Sequence, residues 1–450
     1  MAHITLAQAA LWCGGRVEEK YAHIRFCGAS NDSRTIAPGQ LFVALVGVRD
    51  GNDYIPAAFE KGAVAVLTSR PNDAYPAIVV DDPRIALGQI AAALRRQIGM
   101  QVVGVTGSVG KSTTKEMISA VLEGDYIVCK TPANFNNDLG MPMAILAMPE
   151  DTQVAVLEMG MSHFGEISYL SKIAAPNIAV ITNIGTMHME NLGSRQGILQ
   201  AKLEILDGMT PDSPICLYGD DAYLRSAQDA ISHPVVWFGT EDSSCDVRAE
   251  DVRQEGGLSF AVRAGDQTFP VELPLEGIHY VSDALAAISV GMALQVSPQA
   301  MARRLSRFRN MAGRQEIFEA KGVTIINDSY NAGPESMAAA LRVLGNRSGC
   351  RIAVLGDMLE LGDCTRDAHY QVGVLAAQCA DHLLAYGPNA AHICHGALDE
   401  GMPAEKVLHF DDRRQLALAL RGIVRPGDVL LFKGSRGMHM ELAMEQFLEG

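Results

Sequence analysis

The sequence predicts a mixed α/β protein with three domains. Its 450 residues exceed what a single hydrophobic core usually organises. Short apolar runs that resemble strands alternate with helical segments along the chain, which is the pattern of doubly wound sheets. We place a small N-terminal α/β domain at residues 1–99, a central doubly wound domain at residues 100–312 and a C-terminal Rossmann-like domain at residues 313–450.

Composition and charge exclude several classes of protein. No apolar run reaches the roughly 18 residues of a membrane span, and the first residues lack the basic region of a signal peptide. The nine cysteines are scattered and odd in number, which favours a reducing compartment. A net charge of −15 disfavours nucleic-acid binding. We therefore expect a cytoplasmic protein, and a monomer, that neither binds nucleic acid nor inserts into membranes.

The N-terminal domain has strand-like runs at residues 41–45 and 63–67 and closes with a helical stretch at residues 85–98. A polar cluster at residues 31–34 precedes the first run, and a glycine-rich segment at residues 47–51 follows it. Residues of these types are typical of turns. From the residues alone, both segments are predicted to be turns.

The most informative stretch is residues 102–114, Val-Val-Gly-Val-Thr-Gly-Ser-Val-Gly-Lys-Ser-Thr-Thr. A strand, a glycine-rich turn and a helix in this order bind phosphate through backbone N–H groups and the helix N-terminus. Lys111 is placed to bind the β- and γ-phosphates, and the Ser112 hydroxyl to bind Mg²⁺. Val105 stands where the common phosphate-loop motif has its first glycine, so an ordinary strand–helix turn is the alternative. We predict a P-loop-type ATPase domain with an ATP-binding loop formed by Thr106, Gly107, Ser108, Val109, Gly110, Lys111, Ser112 and Thr113.

Further polar residues follow strand-like runs in the central domain. An asparagine-rich segment at residues 131–140 offers paired donors and acceptors for a neutral or sugar-phosphate ligand; a structural loop is the alternative. Glu158 ends an apolar run, where an acid can bind Mg²⁺ beside a phosphate loop. His188 follows another such run, and a lone histidine there is more often structural. Lys202 lies in an amphipathic segment that predicts a solvated Lys–Glu face.

In the C-terminal domain, three strand-like runs each lead into a polar loop, at residues 323–337, 351–362 and 429–437. This repeated layout predicts a second open α/β sheet, with ligands bound at the carboxyl ends of its strands. Any one of these loops, taken alone, is typical of an ordinary connection between a strand and a helix.

These motifs together resemble the Mur ligase family, the cytoplasmic amide-forming enzymes of peptidoglycan synthesis. The loop T-G-S-x-G-K-S-T is similar to the family's ATP loop. D-S-R, P-G-x-L-F-V-A-L-x-G and D-G look like its N-terminal domain, which binds the UDP part of the substrate. N-F-N-N-D-x-G-x-P, D-S-Y-N-A-x-P, L-G-D-M-x-E-L-G and K-G-S-R look like the members that add D-alanyl-D-alanine. The resemblance extends from residue 32 to residue 436.

The resemblance implies a reaction and its cofactors. ATP would phosphorylate the terminal carboxylate of UDP-N-acetylmuramoyl-tripeptide (UDP-MurNAc-tripeptide), and the amine of D-alanyl-D-alanine would attack the acyl phosphate. Two Mg²⁺ sites are implied, with Ser112, Glu158, His188 and Lys202 as ligands. Lys202 matches the family's carbamylated lysine, whose anionic group can lie near Mg²⁺ where an ammonium could not. The implied catalytic residues are Lys111, His188 and Lys202.

The resemblance also implies binding residues. Arg314 would reach the ATP phosphates and Asp328 the ribose, with Tyr330 and Asn331 near the adenine. Asp283 stands where the family pattern G-x-H-N-x-x-N has its second asparagine, and an ionised aspartate cannot donate to adenine. Arginine binds carboxylates through a two-pronged fork, as the dipeptide requires. The implied substrate-binding residues are Ser33, Arg34, Gly47 and Asp50 for the nucleotide sugar, Asn134, Asn136 and Asn137 in the asparagine-rich loop, and Lys433 and Arg436 for the dipeptide carboxylate.

Three alternatives remain. The preceding ligase of the pathway adds meso-diaminopimelate or lysine. In its diaminopimelate form, the arginine of D-N-P-R binds the extra carboxylate of that amino acid. Here the acid Glu335 follows Pro334, and it would repel such a carboxylate. Folylpolyglutamate and cyanophycin synthetases share the ATP loop but are not expected to carry N-F-N-N-D or K-G-S-R. A nucleotide-binding protein without turnover is the alternative from another class, and the substitutions Tyr280 and Asp283 are its support.

Overall fold

The structure is a computed structural model, and it describes residues 3–449. Three helix-flanked sheets, mainly parallel, follow one another along the chain, and a short antiparallel pair lies at the N-terminus. The predicted mixed α/β class with three domains is therefore confirmed. Across residues 3–449, no helix combines the length and the apolar character needed to span a membrane.

The N-terminal unit is organised around a four-stranded parallel sheet in the order β3-β4-β5-β6. Both faces of the central strands are buried, which explains their continuous apolar sequences. Helix α3 begins after Asp82, whose side chain accepts the N–H of Arg84, and ends at Gly99 with a left-handed backbone. The elements are β1 Ile4–Thr5, α1 Leu6–Cys13, β2 Arg25–Phe26, β3 Ala29–Ser30, β4 Leu41–Val43, α2 Ile55–Glu60, β5 Ala65–Thr68, β6 Ala77–Val79 and α3 Pro83–Ile98.

The central unit contains a nine-stranded sheet in the order β15-β14-β13-β12-β11-β10-β7-β9-β8. Along the sheet from the edge strand β8 as far as β13, neighbouring strands are parallel. At the other edge, β14 pairs antiparallel with both β13 and β15. Burial alternates along each of these three strands, as in a sheet with one solvated face. The elements are β7 Gln101–Thr106, α4 Lys111–Leu122, β8 Val128–Lys130, α5 Gly140–Leu146, β9 Val154–Glu158, α6 Glu166–Ala174, β10 Ile178–Ile181, α7 Met189–Leu192, α8 Arg195–Leu203, β11 Ile215–Tyr218, α9 Ala222–Ser226, β12 Val235–Gly239, β13 Val247–Gln254, β14 Leu258–Ala264, β15 Gln267–Leu273, α10 His279–Ala293 and α11 Pro298–Leu305.

The position of β7 within this sheet determines where ligands bind. It lies between β9 and β10, and the chain continues outward from it in both directions. Such a reversal of strand order opens a crevice at the carboxyl ends of the strands. The loop after β7, Glu158 at the end of β9 and the segment after β10 therefore meet at one edge.

The C-terminal unit has a six-stranded sheet in the order β16-β17-β21-β18-β19-β20, parallel except for the edge strand β16. Because β21 pairs with both β17 and β18, the three polar loops predicted from the sequence leave the same edge, as expected. The elements are β16 Glu316–Ala320, β17 Val323–Asp328, α12 Pro334–Gly345, β18 Arg351–Gly356, α13 Thr365–Cys379, β19 His382–Tyr386, α14 Ala390–Asp399, β20 Val407–Phe410, α15 Arg413–Ile423, β21 Val429–Lys433 and α16 Met440–Glu449.

Truncating the core under the phosphate loop should destabilise the central unit. Leu285 on α10 is fully buried, and α10 packs on α4. We expect Leu285→Ala to lower the free energy of unfolding by about 2–5 kcal/mol. Leu418→Ala is the control, because that side chain is 68% exposed and its loss should cost less than about 0.5 kcal/mol. Urea denaturation measures both, and equal losses would contradict the assignment of this core.

Candidate active site

The phosphate loop is shaped by two glycines that no other residue could replace without strain. Gly107 and Gly110 have φ angles of +146° and +86°. A Cβ atom on Gly107 would lie 1.9 Å from Thr182 Oγ1, and one on Gly110 would lie 2.5 Å from Asp283 Oδ1. The loop therefore packs tightly between the end of β10 and helix α10.

Hydrogen bonds fix the same loop to the segment after β10. The backbone N–H groups of Ser108 and Val109 donate to the backbone and side-chain oxygens of Asn183, both at 3.0 Å. Lys111 turns back over the loop, and its Nζ donates to the carbonyls of Gly107 at 2.8 Å and Ser108 at 3.0 Å. Burial lowers the pKa of Lys111. Since α4 begins at Lys111, its N-terminus faces the crevice.

A chain of hydrogen bonds joins the C-terminal unit to the loop and to β9. Arg314 Nη2 donates to Ser112 Oγ at 2.8 Å, and Ser112 Oγ donates to Glu158 Oε2 at 2.8 Å. The other carboxylate oxygen, Oε1, accepts from Asn136 Nδ2 at 2.9 Å. Glu158 is 2% exposed, and the fully buried Lys115 has its Nζ 3.7 Å from Oε2. A buried carboxylate is thus balanced by a buried cation.

Lys202 differs from the solvated side chain that its amphipathic segment predicts. It lies in the last turn of α8 and is 2% exposed, because this face of α8 is turned into the interior of the central unit. That prediction is wrong. Within residues 3–449, no side chain or carbonyl forms a hydrogen bond or ion pair with its amine. Burial, and then the charge of Lys111, place the pKa of Lys202 well below its ordinary range.

His188 and Glu360 face each other across the junction of the central and C-terminal units. His188 Nδ1 is 2.7 Å from Glu360 Oε2, although the ring N–H direction does not meet the geometry of a hydrogen bond. Both residues have left-handed backbones, with φ angles of +64° and +62°, which is uncommon for residues other than glycine. Contact with His188 lowers the pKa of the Glu360 carboxyl.

The polar loops of the C-terminal unit form a compact network. Lys433 Nζ donates to Asp328 Oδ2 at 2.6 Å and to the Asn331 carbonyl at 3.0 Å. The guanidinium of Arg314 lies 3.9 Å from the centre of the Tyr330 ring. Lys433 is 2% exposed, and its contacts with Asp328 and Asn331 already pair its ammonium within the protein.

Asp283 is a buried acid against the phosphate loop. It is 5% exposed, and its Oδ1 accepts from Thr114 Oγ1 at 2.9 Å. Burial raises its pKa to about 7, against the opposing effects of the Thr114 hydrogen bond and the charge of Arg314. The nearby phenol of Tyr280 is buried and accepts from Asn310 Nδ2 at 2.8 Å. Near neutral pH, Asp283 is therefore partly protonated and can donate as well as accept.

A cavity of about 1080 Å³ lies between the units, beside the phosphate loop and the polar loops of the C-terminal unit. It brings together most of the residues singled out in the sequence, namely Ser108, Val109, Gly110, Lys111, Ser112, Thr113, Asn134, Asn136, Asn137, Glu158, His188, Lys202, Asp283, Arg314, Asp328, Tyr330, Asn331, Lys433 and Arg436. It does not include Ser33, Arg34, Gly47, Asp50, Thr106 or Gly107.

The N-terminal polar turns lie outside this cavity. Arg34 pairs with Asp32 at 2.7 Å and is largely exposed, and Asp50 pairs with Arg70 at 2.6 Å. The N-terminal unit reaches the cavity through the start of α3, where Arg84 forms an ion pair with Asp138 of the asparagine-rich loop.

Sequence reasoning missed three residues of the site. Lys115 lies one helical turn after Lys111, a spacing that places both on the same face of α4. Glu360 lies within L-G-D-M-x-E-L-G, but the sequence does not show that it meets His188. Arg84 follows a helix cap, and no local signal distinguishes it from a surface arginine.

Comparisons with known proteins agree with this architecture. Family models match as the Mur ligase family catalytic domain at residues 23–98, the Mur ligase middle domain at residues 105–291 and the Mur ligase glutamate ligase domain at residues 313–436. The chain belongs to the Mur ligase family. One relative is a protein of Bacillus subtilis (strain 168) named UDP-N-acetylmuramoyl-tripeptide–D-alanyl-D-alanine ligase. It is 41% identical to this Mur ligase over 446 residues, and the alignment covers 97% of this chain and 96% of the relative.

Solved structures of Mur ligases share the whole fold. A crystal structure of MurF from Acinetobacter baumannii has a TM-score of 0.91 and 32% identity, with 100% of both chains covered. MurF from Thermotoga maritima, crystallised with ADP, has a TM-score of 0.83 and 31% identity, with 94% of this chain and 97% of the other covered. Three domains of this Mur ligase thus follow the arrangement of both structures.

The protonation of Asp283 should make ATP binding depend on pH. Above about pH 7 the carboxyl ionises and adds negative charge beside Gly110 and the N-terminus of α4, where phosphates bind. We expect the KM for ATP to rise severalfold between about pH 6 and about pH 8.5. Asp283→Asn, which has no titrating group there, should lack this rise. Steady-state kinetics across this pH range measures it, and superimposable profiles for the two proteins would contradict the role of Asp283.

Proposed function

We propose that this Mur ligase uses ATP to join D-alanyl-D-alanine to UDP-MurNAc-tripeptide, which gives the pentapeptide precursor of peptidoglycan, ADP and phosphate. The observation that carries the proposal is the shared cavity, in which a phosphate loop and the D-S-Y-N-A-x-P, L-G-D-M-x-E-L-G and K-G-S-R loops face one another. The named relative that matches over nearly the whole chain supports it.

ATP binds where the central and C-terminal units meet. The loop N–H groups and the N-terminus of α4 hold its phosphates, and Lys111 and Arg314 neutralise their charge. Phosphoryl transfer between two anions needs such electrostatic stabilisation more than a covalent protein group. We assign the ribose to Asp328 and the adenine to the region of Tyr330 and Asn331.

Mg²⁺ fits the Ser112 and Glu158 pair, whose oxygens are 2.8 Å apart at the end of β9. In the described chain, no group of three or more His, Cys, Asp or Glu side chains is arranged to hold a metal ion by itself, but Mg²⁺ usually takes one or two carboxylates and completes its shell with phosphates and water. When bound, Mg²⁺ neutralises developing charge on the transferred phosphoryl group. A second Mg²⁺ is assigned to His188 and Lys202.

Carbamylation of Lys202 fits its surroundings. A buried amine whose pKa lies well below the ordinary range is largely neutral, and a neutral amine can add CO₂. The resulting anion would balance the charge of Lys111 and provide oxygens for a metal, whereas an ammonium in the same place would repel both. The unpartnered amine of Lys202 therefore supports a carbamate.

The reaction then proceeds in two steps on substrates held by this chain. An oxygen of the tripeptide carboxylate attacks the γ-phosphorus, and the bond from phosphorus to the bridging oxygen of ADP breaks. The dipeptide nitrogen attacks the acyl carbon, the bond from carbon to the phosphate oxygen breaks, and the nitrogen loses two protons in forming the amide. We assign the dipeptide carboxylate to Arg436, which is 61% exposed and forms an ion pair with Glu441 at 3.3 Å that a ligand carboxylate can replace.

We propose two further contacts with the nucleotide sugar, together with the organisation and location of the chain. The nucleotide end of UDP-MurNAc-tripeptide is assigned to Ser33, Arg34, Gly47 and Asp50, and its sugar-phosphate part to Asn134, Asn136 and Asn137. The domain boundaries at residues 99 and 312, the cytoplasmic location, the monomeric state and the lack of nucleic-acid or membrane partners belong to the same proposal.

Release of ADP with defined substrates tests the function. With ATP and UDP-MurNAc-tripeptide, we expect ADP release to require D-alanyl-D-alanine and mass spectrometry to detect the pentapeptide product. Single amino acids are the control amines. Release with an amino acid onto the dipeptide precursor would place the enzyme one step earlier, and no release with any amine would favour a nucleotide-binding protein without turnover.

The carbamate can be tested without measuring turnover. In ¹³C-bicarbonate, we expect the protein to show a slowly exchanging carbamate resonance that is absent in Lys202→Ala and present in Lys172→Ala. Lys172 is an exposed lysine on α6 and serves as the matched control. A resonance unchanged in Lys202→Ala, or lost in both variants, would contradict the assignment.

A further inference from the structure

The amine substrate carries two charges, an ammonium and a carboxylate, and the C-terminal unit offers a partner for each. We propose that Glu360 binds the ammonium of D-alanyl-D-alanine while Arg436 binds its carboxylate. This inference rests on the proposed function, and it adds a substrate-binding residue that recognises the attacking nitrogen.

The two side chains are presented by loops that are hydrogen-bonded to each other. The N–H of Leu359 donates to Ser435 Oγ at 2.9 Å, and the N–H of Ser435 donates to the Asp357 carbonyl at 2.9 Å. Glu360 is the residue after Leu359, and Arg436 is the residue after Ser435. An acid and a base are thus held side by side at the edge of the cavity.

Both side chains are accessible to a ligand at this edge of the cavity. Arg436 Nη1 lies 3.3 Å from Glu441 Oε1, and such a partly exposed ion pair contributes little and can be exchanged for a ligand carboxylate. Glu360 and Arg436 are 55% and 61% exposed, so both heads can contact a ligand. Both line the same cavity as the phosphate loop.

The other acids of the cavity are already engaged. Glu158 accepts hydrogen bonds through both oxygens, and Asp328 pairs with Lys433. Asp138 pairs with Arg84 near the N-terminal unit. Asp283 accepts a hydrogen bond from Thr114 Oγ1, and Glu166 accepts one from the N–H of Ser162. Glu360 has only His188 beside it and is the acid that can accept an ammonium at this edge.

The backbone holds Glu360 in position at some cost. A left-handed conformation is unfavourable in a non-glycine residue and persists where the surroundings enforce it. Here the N–H of Met358 donates to the buried His369 Nε2 at 2.9 Å, next to the Leu359 contact described above. The loop backbone is therefore held in place, and the carboxylate of Glu360 lies 2.7 Å from His188 Nδ1 of the central unit.

Glu360→Gln tests the proposal through individual Michaelis constants. Loss of a charge-assisted contact costs about 1.5–3 kcal/mol, so we expect the KM for D-alanyl-D-alanine to rise about tenfold or more. The KM values for ATP and UDP-MurNAc-tripeptide should change less than about twofold. Glu360→Asp keeps the charge and should restore part of the loss.

Asp363→Asn is the matched control, because it removes an exposed acid from the same loop region and should leave all three constants unchanged. An unchanged KM for the dipeptide, an equal rise for all three substrates, or a raised Mg²⁺ requirement alone would overturn the assignment. If Glu360→Gln does not fold, Glu360→Ala, which also removes the carboxylate, carries the same test. Absence of dipeptide-dependent turnover in the unmodified enzyme would instead defeat the proposed function, and this inference with it.

Discussion

One hydroxyl group connects the parts of this enzyme that must act together. Ser112 Oγ accepts from Arg314 of the C-terminal unit and donates to Glu158 at the end of β9. The same serine lies in the first turn of α4, which begins at Lys111 and whose N-terminus is suited to bind phosphate. Because these contacts come from two units of the chain, the proposed ATP site is complete only while the units are closed on each other. The order of strands around β7 places all of these groups at a single edge.

Charge burial is the second constraint, and it explains why the site needs its ligands. Lys111, Lys115 and Lys202 are three buried amines of the central unit. Lys115 lies near the carboxylates of Glu116 and Glu158, whereas Lys202 has Lys111 as its charged neighbour. Burial lowers the pKa values of Lys111 and Lys202, and a buried cation is costly unless paired. Phosphates, and a carbamate on Lys202, would supply the missing negative charge. The site is therefore matched to anions although the whole chain carries a net charge of −15.

Much of this site could be predicted because the phosphate loop, Glu158 and the C-terminal loops are each encoded by contiguous residues next to a strand. The burial of Lys202 could not, since an amphipathic helix does not reveal what packs on its polar face. The meeting of His188 with Glu360 depends on how two units dock. The pKa of Asp283 depends on burial against Gly110 and Thr114, which are far away in sequence. Local chemistry is readable from the sequence, and tertiary electrostatics is not.

Isotope transfer shows directly whether this enzyme activates the tripeptide by phosphorylating its carboxylate. UDP-MurNAc-tripeptide labelled with ¹⁸O in the terminal carboxylate would be turned over with ATP and D-alanyl-D-alanine, and the phosphate analysed by mass spectrometry. We expect one ¹⁸O atom in each phosphate released, because the acyl oxygen leaves with it. Phosphate without label would contradict an acyl phosphate and require a different route to the amide.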